Sequence, residues 1–162
     1  MGKHFTLSAS DSFKLGAYRA DPSGTPKGGI VVIQEIFGVN QHIRKVCDDF
    51  AALGYAAVAP ALFDRTQKDY QSGYTPPEIE KSRTFVAKPD WDAMMRDTDA
   101  AIKELASTGP VGTLSCHATR GASHCSTPTV KGMSDAARDA TSRRSSRPWF
   151  EKTRALPSGV KA

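Results

Sequence analysis

Cysteine is scarce in this chain: three residues in 162, at positions 47, 116 and 125. No spaced set of cysteines outlines a disulfide framework, so a reducing, cytoplasmic setting is expected. Long apolar runs are also missing. No stretch approaches the roughly eighteen consecutive apolar residues of a membrane span. The opening Met1-Gly2-Lys3-His4-Phe5-Thr6 has no apolar run of signal-peptide length. No membrane, no metal and no cofactor are expected as partners.

Apolar residues also run short in one particular region. Large apolar side chains number 32 among residues 1–112 and only 7 among residues 113–162. Charge divides at the same place. The first part holds 13 Lys/Arg against 14 Asp/Glu, the second 9 against 3, so the net +5 comes entirely from the last fifty residues. A segment with so little apolar surface cannot offset the entropy of ordering its own chain. Residues 1–114 are therefore expected to form a partial α/β domain, and residues 115–162 a basic, disordered tail. Such a tail can draw anionic partners by Coulomb attraction. Its two aromatics, Trp149 and Phe150, are adjacent rather than spaced for base stacking, so no specific nucleic-acid partner is expected.

What the first part does contain is alternation of helix and strand patterns. Residues 5–9 and 13–18 alternate around Ser10-Asp11-Ser12 and predict an antiparallel hairpin. Ile30-Val31-Val32-Ile33 is a β-branched run with no polar alternation, as in a strand buried on both faces. Asn40 is placed to cap a helix whose apolar positions are Ile43, Val46, Cys47 and Phe50, with Gly54 just beyond its end. Residues 55–59 form the next buried strand, closed by Pro60. Residues 64–89 are polar, with a helical turn or more from Pro77 to Phe85. From Asp90 a second helix is predicted, with Trp91, Met94, Met95, Ile102 and Leu105 on one face. Val111-Gly112-Thr113-Leu114 begins another buried strand. The order implies a three-layer, mostly parallel sheet with right-handed crossovers.

The most informative stretch is Val32-Ile33-Gln34-Glu35-Ile36-Phe37-Gly38-Val39-Asn40. It delivers a carboxylate at the C-terminal end of a buried strand, the edge where α/β sheets bind ligands. Backbone N–H groups in the following loop, that of Ile36 included, are placed to stabilise a developing oxyanion. This stretch resembles the dienelactone hydrolase (carboxymethylenebutenolidase) family. The resemblance continues through Asn40-Gln41-His42-Ile43-Arg44, Gly54-Tyr55, Ala59-Pro60-Ala61-Leu62-Phe63-Asp64-Arg65, Asp90-Trp91-Asp92 and Val111-Gly112, and covers roughly residues 5–114. It implies the N-terminal portion of an α/β-hydrolase fold and hydrolysis of small esters or lactones by a Cys-His-Asp triad. By that resemblance Glu35 activates the nucleophilic cysteine, Arg65 helps bind a substrate carboxylate and Tyr74 lines the site. The residues alone leave alternatives: Glu35 as a carboxylate tied to loop amides, Arg65 as a surface or salt-bridged arginine. His42 reads as a structural or solvated residue and Cys47 as core.

The departure comes at the nucleophile. The family presents its cysteine in a Gly-x-Cys-x-Gly elbow, and Cys116 lacks both glycines. Triads on this fold run nucleophile, acid, histidine. After Cys116 the acids are Asp135, Asp139 and Glu151, and the last histidine is His124. No complete triad can be assembled in that order, so Cys116 is a weak nucleophile candidate and the activity is expected to be impaired. The abrupt change near residues 113–115 suggests a frameshifted or truncated gene product. Coding DNA with no alternative frame encoding a glycine-flanked cysteine, then an aspartate and a histidine, would refute that. Three further readings stay open: a site improvised from Cys116 with His117 or His124, zinc held by Cys116, His117, His124 and Cys125, or a tail for anionic partners. The zinc reading lacks the usual two-to-four-residue gap between ligands.

Overall fold

The computed structural model describes residues 2–119 and 122–126. Among them the chain order is β1 (Lys3–Ser8), β2 (Lys14–Ala20), β3 (Gly29–Ile33), α1 (Gln41–Ala52), β4 (Ala56–Pro60), α2 (Pro76–Phe85), α3 (Trp91–Glu104), a short 3-10 turn (Ala106–Thr108), β5 (Val111–Thr119) and β6 (Ala122–Ser126). The six strands form one sheet in the order β1-β2-β4-β3-β5-β6. β4, β3 and β5 run parallel at its centre. The β1–β2, β2–β4 and β5–β6 pairs are antiparallel. The sheet is therefore mixed, with its parallel character concentrated in the three strands that bear the motif.

β3 explains the layering. Ile30 and Val32 belong to a core cluster with Ile43, Val46, Cys47 and Phe50 of α1. Val31 points the other way, into a cluster with Val58, Ala100, Ala101 and Leu105 at α3. Successive strand side chains alternate faces, so a run without polar residues requires a helix on each side. The predicted face of α1 is the one buried, and each fully buried side chain such as Phe50 contributes about 1.5–3 kcal/mol. Asn40 caps α1 by accepting the N–H of Ile43 at 3.2 Å. Gly54 follows the C-terminus at φ +93°, in the left-handed region.

α3 buries only part of the expected face: Leu105 is fully buried and Ile102 packs against the core. Ala93, Asp97, Ala100 and Ala101 are buried, whereas Trp91 and Met95 are 68% and 66% exposed. A Cβ on Gly29 would come within 2.8 Å of Leu105 Cβ, so the helix end lies almost on β3.

The boundary expected at residue 114 falls inside β5, which runs on to Thr119 and returns as β6. Strand pairing is made by backbone groups, so it does not require the apolar periodicity that this stretch lacks. The remainder of the expected tail, residues 127–162, lies outside the described residues.

Candidate functional site

At the end of β3 the chain turns within four residues. Gly38 N–H donates to the Glu35 carbonyl at 3.4 Å, and the pair forms an isolated bridge. Gly38 has φ +74° and bridges Gln71 on its other side. A side chain there would collide with the Tyr70 carbonyl oxygen, which is why glycine closes the turn. Inside it, Glu35 is 6% exposed and its Oε1 is shielded from solvent. Ile36 is half-buried and Phe37 buried.

The turn is braced by the segment after β4. Leu62 N–H donates to Gln34 Oε1 at 3.0 Å. Ser72 N–H donates to the Phe37 carbonyl at 3.0 Å. Tyr74, 54% exposed, sets its ring 4.6 Å from that of Phe37, and its hydroxyl accepts from Asn40 Nδ2 at 3.3 Å. Arg44 Nη1 donates to the Val39 carbonyl at 2.8 Å and to Gln71 Oε1 at 2.6 Å. The segment itself rests on stacked aromatics: Phe85 lies 5.1 Å from Phe63 and 4.1 Å from Tyr70. Tyr70 and Ser82 share a buried hydrogen bond of 2.8 Å, which fastens α2 to this assembly.

Glu35, Ile36 and Tyr74 are thus gathered at the C-terminal end of β3. Cys116 reaches the same end of the sheet by register, since Ser115 pairs with Ile33. It does so within a continuous strand, opposite Cys125, rather than on a strand-to-helix elbow. The same ladder sets His117 opposite His124. Among residues 2–113 no three His, Cys, Asp or Glu side chains are grouped to hold a metal ion.

Arg65 is engaged elsewhere. Its Nε and Nη2 donate to the two carboxylate oxygens of Asp97 at 2.9 and 2.8 Å. Nη2 also donates to Asp11 Oδ1 at 3.0 Å, and Nη1 lies 2.9 Å from Asp11 Oδ2. The Phe13 ring sits 4.2 Å from the guanidinium. Hydrogen bonds from Arg65 hold the Asp11 carboxyl well below the usual carboxylate range, and the two carboxylates raise the Arg65 guanidinium further above its ordinary value.

Gln34, Gln71 and Ser72 carry much of this arrangement without being singled out by pattern. Gln34 belongs to the motif, but its bond to Leu62 spans 28 positions. Gln71 and Ser72 sit in a polar segment with no periodicity to mark them.

No helix among the described residues is long and apolar enough to cross a membrane. A carboxymethylenebutenolidase-named protein of Synechocystis, so named provisionally, is 37% identical over 94 residues, 57% of this chain and 38% of its own length. A second of that provisional name, from Azospirillum brasilense, is 51% identical over 67 residues, 41% of this chain and 29% of its own. The chain thus spans well under half the length of these relatives. A crystal structure provisionally identified as a Klebsiella pneumoniae dienelactone hydrolase superimposes with TM-score 0.52 and 31% identity, covering 67% of this chain and 45% of that one. A dienelactone hydrolase-like promiscuous phosphotriesterase from metagenomic libraries shares the fold at TM-score 0.50 and 20% identity, over 70% and 48% of the two chains. Residues 15–115 match the dienelactone hydrolase family, and the chain belongs to it.

Proposed function

We propose that this chain carries the glutamate half of a site for hydrolysing small esters or lactones, with the hydrolytic step impaired. In this reading Glu35 is the carboxylate that promotes thiolate formation, and the Ile36 N–H supports the oxyanion that develops as the acyl carbon becomes tetrahedral. Phe37 and Tyr74 wall the site. The observation that carries the reading is the position of Glu35, shielded in a braced turn at the end of a central parallel strand. A carboxylate kept from bulk water acts more strongly on a neighbouring proton than one in solvent.

Impairment rests on Cys116. A nucleophile on this fold needs an exposed elbow, and Cys116 instead continues a strand. A cytoplasmic setting fits the small number of cysteines.

Hydrolysis of an activated aryl ester and of a dienelactone by the purified chain tests this. The expected rate is at background and unchanged by Glu35→Gln or Cys116→Ser. Turnover well above background that is abolished by Cys116→Ser would show a working nucleophile and overturn the impairment.

A further inference from the structure

Asp64 and Arg65 form consecutive anchors. The buried Asp64 carboxylate accepts the Gly16 N–H of β2 at 2.7 Å and the Asp69 N–H at 2.9 Å. Arg65 then makes its paired contacts to Asp97 on α3 and to Asp11 in the β1–β2 turn. Asp97 is 0% exposed. A buried carboxylate is tolerated only with a well-aligned partner, so Arg65 cannot leave it without exposing an uncompensated charge. The guanidinium is committed to protein carboxylates on two sides and rests on Phe13 on a third.

The segment that these anchors hold is the one that braces the Glu35 turn. It meets the turn through Leu62 at one end and through Gln71, Ser72 and Tyr74 at the other. We infer that Arg65 is a positioning residue for the Glu35 turn, acting through residues 61–74. The inference rests on the reading of that turn as the working part of the site. It is tested without turnover, so its failure is distinct from a failure of the catalytic reading.

Site-resolved amide hydrogen exchange on the whole chain provides the test. In Arg65→Gln, the amides of Gly38, Leu62 and Ser72, each bonded across the turn or to its brace, are expected to exchange at least about tenfold faster. The amides of Val31 and Val58, in the central strands, are expected to stay within about twofold. Should the lone Asp97 charge prevent folding, the double variant Arg65→Gln/Asp97→Asn removes both charges and is read in the same way. A uniform rise that includes Val31 and Val58 would reduce Arg65 to general stability and overturn the inference, as would unchanged exchange at Gly38 and Ser72. Full protection in Arg65→Lys, which keeps the charge without the two-point geometry, would overturn it too.

Discussion

Gly38 stands directly against the carbonyl of Tyr70, 32 positions further along the chain, with no space for a side chain between them. The contact closes the Glu35 turn on one side and ties it to the brace on the other. Gly38→Ala adds a collision to a positive φ that alanine rarely adopts. The expected loss is more than about 1 kcal/mol of unfolding free energy, read from the denaturation midpoint. Gly24, with open space around its Cβ position and no positive φ, is the control, and its alanine variant should stay within about 0.5 kcal/mol.

Two carboxylates give the stability a defined direction with pH. Asp11 is held low chiefly by its hydrogen bond from Arg65. Glu78 is held low by accepting from the Thr75 hydroxyl and N–H at the start of α2, with a further bond from Gly73. A carboxylate depressed in the folded state stabilises it above the ordinary carboxylate range, and that contribution is lost as pH falls through the folded value. Thermal melts from about pH 7 down to about pH 3 should therefore show Tm falling on the acid side. The fall should be shallower in Asp11→Asn and in Glu78→Gln. An equal acid slope in the wild type and both variants would contradict the assignment.

Cys47 is fully buried in α1, and burial pushes its thiol far above the ordinary range, with Asp48 adding to the shift. A thiol without thiolate character and without access is inert. Mass spectrometry after brief alkylation at neutral pH should find Cys47 unmodified in the folded protein and modified after denaturation. Labelling at the folded stage would mean that α1 opens from the sheet.

Some features were legible because they depend only on near neighbours in sequence. The β-branched run of β3, the Asn40 cap, the apolar stripe of α1 and the Asp90 start of α3 each follow from residues a few positions apart. Arg65 was not legible in this way. Its partners lie 54 and 32 positions away, and an unpaired or substrate-binding arginine has the same local sequence.

The sequence by itself determined the family, the motif that places Glu35 after a central strand, and the alternation that requires a helix on each face. These are local patterns, readable wherever the period of a segment matches its burial. Tertiary structure decided how much of the expected face α3 turned inward, leaving Trp91 and Met95 exposed while Ala93, Asp97, Ala100 and Ala101 are buried. It also decided what Arg65 binds and how residues 61–74 hold the Glu35 turn. Those outcomes depend on which segments meet in space, and on the cost of leaving a buried Asp97 without a partner.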